Sequence, residues 1–86
     1  TLDKKPIHLI FKITPKQYNY IKTKPLHQSQ QEIDANDDWV TVSLDVIENF
    51  ELRQKLMTFL PDIEILEPKH FREDIKKTLK KAYSLY

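Results

Sequence analysis

Two segments of the chain alternate apolar and polar residues with the period of two that places every second side chain of a strand on the same face. The first segment has apolar residues at alternate positions: Ile7, Leu9, Phe11 and Ile13. The second, Trp39 to Ile47, repeats the pattern: Val40, Val42, Leu44 and Val46. Each segment is therefore predicted to be a strand with one buried face. The opposite face then presents the intervening side chains: His8, Ile10, Lys12, Thr41 and Ser43.

Two shorter segments predict two more strands. Ser29 to Ile33 is polar and suits an edge strand, whereas Ile63 to Ile65 alternates in the manner of a short strand with one buried face. Between the second and third strands, Asp34 to Asp38 predicts a turn. We expect Asn36-Asp37 to adopt positive φ angles there, because asparagine and aspartate tolerate them best among the residues other than glycine.

Helix-starting residues and apolar stripes predict three helices. Thr14 is expected to cap the first helix, with Pro15 at its first position and Pro25 after its end. Asn49 is expected to cap the second helix, whose stripe consists of Leu52, Leu56, Phe59 and Leu60. Pro68 is expected at the first position of the third helix, whose stripe extends to the C-terminus: Phe71, Ile75, Leu79, Ala82 and Tyr83.

The predicted order of elements is therefore β-α-β-β-α-β-α. Two βαβ halves of this kind form the ferredoxin-like α+β fold, a four-stranded antiparallel sheet with both helices on one face. The third helix is an addition at the C-terminus. With 86 residues and 10.3 kDa, residues 1–86 are expected to form a single domain. Because the chain opens with Thr1 rather than Met, we expect it to be a piece of a longer protein.

Composition excludes several classes of protein. Hydrophobic residues make up 40% and charged residues 31%, which is typical of a globular domain. The lack of cysteine excludes a thiol nucleophile and disulfides, and the lack of glycine excludes the phosphate-binding loops built on it. A net charge of +1 excludes a strongly basic nucleic-acid module but not a local basic groove. No apolar run reaches the roughly 18 residues of a membrane span, and no secretory leader is evident, so we expect a cytoplasmic protein.

Catalysis, cofactor binding and metal binding are not expected. His8, His27 and His70 lie on different predicted elements and lack metal-ligand spacing. Ser29 stands two residues from His27, but the sequence shows no oxyanion hole of the kind that a catalytic serine needs. The acidic turn before Trp39 lacks the glycine of a calcium-binding loop. We therefore expect a binding or structural module rather than an enzyme.

A series of motifs is similar to one family. They are Phe11-Lys12-Ile13-Thr14-Pro15, Tyr20-Ile21, Pro25-Leu26-His27-Gln28-Ser29-Gln30, Leu44-Asp45-Val46, Leu56-Met57-Thr58-Phe59, Ile63-Glu64-Ile65-Leu66-Glu67-Pro68, Phe71-Arg72 and the terminal Tyr86. In order and spacing they resemble the C-terminal extension, WCX, of bacterial WYL-domain transcriptional regulators, and they cover essentially the whole chain. Leu60 stands where many relatives have glycine, so we expect the turn into the fourth strand to differ.

The resemblance implies a larger regulator around this chain. Such regulators carry an N-terminal winged helix-turn-helix domain that binds DNA, then a central WYL domain, then this extension. Neither a helix-turn-helix pair nor a Trp-Tyr-Leu triplet occurs here. In this family the central domain and its extension are associated with effector sensing, with single-stranded nucleic acid among the proposed ligands, and with homodimer contacts.

The open face of the sheet is the candidate site. Five side chains are candidates for binding a nucleotide or single-stranded DNA: His8, Lys12, Thr41, Ser43 and Arg72. Alternatively, the first four are ordinary outward residues of a solvated sheet, and Arg72 pairs with Glu67 or Glu73. The lysines late in the last helix are interpreted as a solvated face: Lys76, Lys77, Lys80 and Lys81.

Other residues are interpreted as structural or as parts of an interface. His27, Ser29 and Gln30 are interpreted as structural, because a loop that leaves a helix needs side chains to satisfy its backbone groups. Ile10 and Trp39 are candidates for an interface, although Trp39 equally suits the core. Two hypotheses follow: the chain forms one wall of an effector groove, or it is an assembly module that dimerises the regulator. A third is an unrelated ferredoxin-like domain that binds a small metabolite.

Overall fold

A computed structural model of the chain describes residues 5–86, and the opening Thr1 therefore lies outside the described part. Four strands and three helices follow one another in the predicted order, which confirms the α+β fold class. Their bounds are β1 (Ile7–Ile13), α1 (Pro15–Thr23), β2 (Gln31–Ala35), β3 (Val40–Val46), α2 (Phe50–Met57), β4 (Ile63–Glu67) and α3 (Lys69–Tyr83). The polar strand β2 lies two residues later than the sequence predicted.

The strands form one antiparallel sheet in the order β2-β3-β1-β4, the order of a ferredoxin-like fold. Strand β1 lies at the centre of the pairing, from Ile7 opposite Val46 to Ile13 opposite Val40 on β3. On its other side Ile13 lies opposite Ile63 of β4. The two predicted period-two segments are thus neighbours, and their apolar positions share one face.

The core lies on that face. Leu9, Phe11 and Ile13 of β1 have no exposed surface, and the alternate residues of β3 and β4 join them in one cluster. Each helix contributes to the same cluster: Ile21 from α1, Leu56 from α2, and Phe71 and Ile75 from α3. Because every helix contributes to this cluster, all three helices pack on one side of the sheet, and within residues 5–86 no helix covers the other side.

The two edges of the sheet are protected in different ways. All five residues of β2 are exposed, its register shifts between Glu32 and Asp34, and these two carboxylates lie along the edge. Charge and irregularity on an edge strand oppose pairing with another chain. On β4 the Arg72 side chain donates to the Ile65 carbonyl oxygen at 2.8 Å, which occupies a backbone acceptor there.

Helix α1 begins at Pro15, directly after Thr14, as predicted, and α2 begins after its predicted cap, whereas α3 begins one residue later than predicted. Asn49 caps α2, with its Oδ1 accepting from the Leu52 amide at 2.8 Å. Thr14 precedes α1, but its hydroxyl is buried and has no hydrogen-bond partner within residues 5–86, so it caps nothing. Pro68 precedes the first helical residue instead of occupying that position, because Glu67 is still paired with Ile10 in the sheet and the backbone at Pro68 remains extended.

The turn before β3 does not use positive φ angles, contrary to the prediction for Asn36-Asp37. No residue in the described part of the chain has a positive φ angle. Instead, Asn36 Oδ1 accepts from the amides of Asp38 and Trp39, both at 2.8 Å, and the Asn36 amide donates to the Trp39 carbonyl oxygen at 2.8 Å. The Asn36 side chain thus stabilises the turn by accepting backbone hydrogen bonds, without a positive φ angle.

The apolar stripe of α3 is buried only in the first part of the helix. Phe71 and Ile75 lie in the core, whereas Leu79 is 41% and Tyr83 is 83% exposed. Helix α2 ends at Met57, so the last two members of its predicted stripe lie in the following turn, where they still pack against the core: Phe59 and Leu60. None of the helices within residues 5–86 has the length and apolar character to cross a membrane.

Candidate functional site

The pairing of β1 with β3 brings four of the five predicted site residues together. His8 lies opposite Asp45, Ile10 opposite Ser43, and Lys12 opposite Thr41. All of them alternate with core residues, so they lie on the open face of the sheet. Ser43 is 5% exposed, and its neighbours Ile10, Lys12 and Thr41 are half-buried, so the centre of this face is partly shielded even without a covering helix. We call these six residues the open sheet face.

The imidazole of His8 is already paired. Its Nδ1 lies 2.7 Å from Oδ1 of Asp45, and both side chains are exposed. An exposed pair of this kind contributes little to stability, about 0–1 kcal/mol. A ligand that binds His8 therefore competes with a weak internal partner, which sequence reasoning on alternation alone did not reveal.

Charge on the sheet is mostly negative. Lys12 is the one lysine or arginine in the four described strands. The same strands contain five acidic residues: Glu32, Asp34, Asp45, Glu64 and Glu67. Glu64 of β4 lies opposite Lys12 on the side away from Thr41. The open sheet face therefore offers a single cation to a phosphate group, and it is suited to a ligand with few phosphate contacts rather than to a long nucleic acid.

Arg72 is at the β4 edge, away from the other four predicted residues. Its Nη1 donates to Glu64 Oε2 at 3.1 Å and to the Ile65 carbonyl oxygen at 2.8 Å. Its carboxylate partner is thus Glu64, not the expected Glu67 or Glu73. The reason is that α3 turns back along β4, which brings the guanidinium to the middle of that strand. Its partner Glu64 lies opposite Lys12 in the register of β1 and β4.

Trp39 and Ile10 occupy the same face as Lys12. Trp39 directly precedes Val40, which is in the core, so alternation places Trp39 with Thr41 and Ser43, and its side chain is half-buried. Ile10 is half-buried at the centre of the sheet. Two apolar side chains thus flank the polar residues of this face, and Trp39 is the single tryptophan of the chain.

The loop between α1 and β2 is held by the side chains of the predicted motif. Gln30 Oε1 accepts from the Leu26 amide at 2.8 Å, and its Nε2 donates to the Ile21 carbonyl oxygen at 2.9 Å. Ser29 Oγ accepts from the Asp45 amide at 2.8 Å and lies 2.7 Å from His27 Nδ1. His27 Nδ1 also accepts from the Ser29 amide at 3.1 Å. These contacts fasten the loop to β3 beside the His8–Asp45 pair.

A cluster that the sequence did not predict joins α2 to α3. Arg53 Nη2 donates to Glu48 Oε2 at 2.8 Å and to Asp74 Oδ2 at 2.7 Å, and its guanidinium lies 5.4 Å from the ring centre of Phe71. His70 Nε2 lies 2.6 Å from Glu48 Oε1. Partial burial raises the pKa of Glu48, but hydrogen bonds from Arg53 and His70 outweigh it and lower that pKa overall.

The same cluster changes the pKa of Arg53. Hydrogen bonds to Glu48 and then to Asp74 raise the pKa of Arg53, against the opposing effect of desolvation. Arg53 and Asp74 are 21 residues apart, so their pairing arises from the packing of α2 beside α3. The helical spacing of charges within α2 alone could not have revealed it. Within residues 5–86, no group of three or more histidine, aspartate or glutamate side chains is arranged to hold a metal ion.

An apolar groove opens between the end of α2, strand β4 and helix α3. Its volume is about 250 Å³. Seven apolar side chains line it: Leu56, Met57, Leu60, Ile63, Ile65, Ile75 and Leu79. Arg72, Lys76 and Glu64 stand among them. The groove lies on the helix-covered side of the sheet, opposite the open sheet face, and sequence reasoning did not predict it because its walls come from three separate elements.

One comparison with known proteins gives a match. A family model described as the WCX domain matches residues 5–83, a range that includes every strand and helix of the structure. Neither a curated protein nor a solved structure gives a significant match. The matched range covers the open sheet face, the loop of His27 and Ser29, and the apolar groove alike.

Proposed function

Because the chain belongs to the WCX domain family, we propose that it is the C-terminal module of a bacterial WYL-type transcriptional regulator and supplies one wall of its effector groove. The resemblance of its motifs to that family supports this context. In the proposal the module is not catalytic and works in the cytoplasm. A helix-turn-helix domain elsewhere in the regulator binds DNA, and two copies of the regulator associate.

The open sheet face is the wall that we propose. The observation that carries this is the grouping of Lys12, Thr41 and Ser43 on two adjacent strands that no helix of the described chain covers. The Lys12 cation, the Thr41 hydroxyl and the flanking Ile10 and Trp39 suit a base and a phosphate lying side by side. Ser43, at 5% exposed, lies beneath them and offers a ligand little surface. The single cation favours a nucleotide or a short single-stranded DNA segment.

Trp39 provides a direct test because it is the single tryptophan and lies directly before β3, next to the open sheet face. We expect its fluorescence to change saturably when a short single-stranded DNA is titrated at low salt. Lys12→Ala is expected to weaken the change, whereas the matched Lys16→Ala on α1, on the other side of the sheet, is expected to leave it intact. A signal that is absent at low salt, or equal in both variants, would contradict the proposal.

Assembly is the second candidate, and it has its own supporting observation. The end of α3 and the residues after it expose a group of apolar side chains: Leu79, Tyr83, Leu85 and Tyr86. Apolar side chains grouped on a surface are typical of contacts between subunits. Sedimentation distinguishes two possible interfaces between copies. If the open sheet face holds two copies together, Ile10→Asp or Trp39→Glu yields monomers, whereas an interface through α3 survives both changes and is broken by Tyr83→Asp.

A further inference from the structure

We propose that the groove between α2, β4 and α3 binds a small organic acid with a flexible apolar body and one carboxylate. This site is separate from the open sheet face. The helices that form the groove pack on the core side of the sheet, and neither Lys12 nor Trp39 lines it. The proposal thus goes beyond the proposed function and does not depend on it.

The floor of the groove is formed by residues of the core. Leu56, Ile63 and Ile75 are less than 8% exposed and form its base, while Leu79 at the rim is 41% exposed. The opening arises because α2 ends at Met57 while α3 continues past the core. An apolar body placed there would remove Leu79 and Met57 from water, which is favourable in proportion to the area covered.

The charges around the groove favour an anion. Arg72 and Lys76 lie one helical turn apart on α3 and both line it, and the one lining carboxylate is that of Glu64. Arg72 Nη1 already donates to Glu64 Oε2, so this carboxylate is compensated. A guanidinium has five N–H donors, and the two described contacts both come from Nη1. One cation therefore remains in excess, with further donors on the guanidinium.

The volume sets the size of the ligand. A cavity of about 150 Å³ takes benzene, so a groove of about 250 Å³ suits a molecule somewhat larger, of roughly 8–12 non-hydrogen atoms. Octanoate has this size and combines an apolar tail with a carboxylate. Octylamine has the same tail and the opposite charge, which makes it the matched control for the role of Arg72 and Lys76.

Met57 allows the site to be observed by itself, since it is the single methionine of the chain. With a ¹³C-labelled methionine methyl group, one NMR signal reports from the groove wall. We expect octanoate to shift this signal saturably and octylamine to bind at least about tenfold more weakly, the ratio that corresponds to 1.4 kcal/mol. The Trp39 fluorescence is expected to stay unchanged, which distinguishes this site from the open sheet face.

Two pairs of variants complete the test. Leu79→Glu adds a repelling charge at the rim and is expected to weaken octanoate binding at least about tenfold. Thr78→Glu adds the same charge one residue away, outside the groove, and is expected to change the affinity for octanoate less than twofold. Lys76→Gln is expected to weaken octanoate binding about two- to fivefold, and Lys77→Gln is its control. Equal binding of octylamine, unchanged binding in Leu79→Glu, or no saturable shift with octanoate would overturn the proposal.

Discussion

The two faces of the sheet are made from the same strands and differ in almost everything else. On the core face Leu9, Phe11 and Ile13 have no exposed surface and contact aliphatic or aromatic neighbours. The open face has the residues that alternate with core residues along β1 and β3, among them His8, Lys12 and Ser43. His8 forms an exposed pair with Asp45. Burial dictates the residue types of the first face. Folding leaves the second free to carry a mixture of charge, hydroxyl and apolar groups, which is what a binding surface needs.

The largest expected difference in stability is between substitutions at two adjacent positions, one on each face. Phe11→Ala removes a fully buried ring from the central strand and is expected to cost about 3–5 kcal/mol of unfolding free energy. Lys12→Ala, one residue away, is expected to cost less than about 1 kcal/mol. Urea unfolding followed by circular dichroism measures both. If Lys12→Ala proved as costly as Phe11→Ala, the open face would be part of the stabilising structure and the comparison would fail.

A smaller effect is expected at the cluster that joins the helices on the core side. Arg53→Leu removes two charge-assisted hydrogen bonds and leaves Glu48 and Asp74 facing each other. Because the arginine is partly exposed, we expect a loss of about 1–2 kcal/mol, less than for a fully buried pair. Arg53→Lys retains the charge without the planar fork and should recover part of that loss in the same unfolding experiment. Equal losses would show that geometry, not charge, matters here.

The helix caps give a matched pair of still smaller effects. Asn49→Ala removes the hydrogen bond to the Leu52 amide and is expected to cost about 1 kcal/mol. Thr14→Val removes a buried hydroxyl that has no partner within residues 5–86, so stability should stay the same or increase. Thermal unfolding of the two variants beside the unchanged chain tests this. A Thr14→Val loss as large as that of Asn49→Ala would contradict the assignment of the caps.

The smallest effect is the pH dependence of the Glu48 contacts. The folded pKa of Glu48 lies below its ordinary value, so its contribution to stability is present above the ordinary glutamate pKa and is lost as the pH falls through the folded pKa. We expect a difference under about 1 kcal/mol between the unchanged chain and Glu48→Gln near neutral pH. Urea unfolding at a series of pH values should show that difference disappearing in acid. A difference that persists in acid would contradict the sign.

The sequence predicted the elements that depend on local pattern. Alternation identified β1 and β3 and the residues of their two faces, and Asn49 marked the start of α2. Helical periodicity correctly grouped Phe71 with Ile75, but it could not show that Leu79 and Tyr83 are exposed. Periodicity shows which residues share a helix face and not which residues pack against that face.

The parts that could not be predicted depend on the distance between elements in the folded chain. One of the two alternatives for Arg72 was an ion pair with Glu67 or Glu73, yet its carboxylate partner is Glu64 on the preceding strand. Arg53 pairs with Asp74 across two helices, and the apolar groove takes its walls from three elements. Local propensity carries no information on such separations. Helix α1 begins after Thr14 as predicted, but the capping hydrogen bond expected from its hydroxyl is absent, because packing decides whether a hydroxyl faces the helix or the interior.

The central claim is that Lys12 and its neighbours on the open sheet face contact an effector with few phosphates. Fluorescence anisotropy of a short labelled single-stranded DNA, titrated with the chain at several salt concentrations, tests it most directly. Each phosphate contact contributes about −0.7 to the slope of log K against log salt. We predict a shallow slope of about −0.7, the value for one phosphate contact, which becomes close to zero in Lys12→Ala and stays unchanged in Lys16→Ala. No binding at the lowest salt, or the same slope in both variants, would contradict the account.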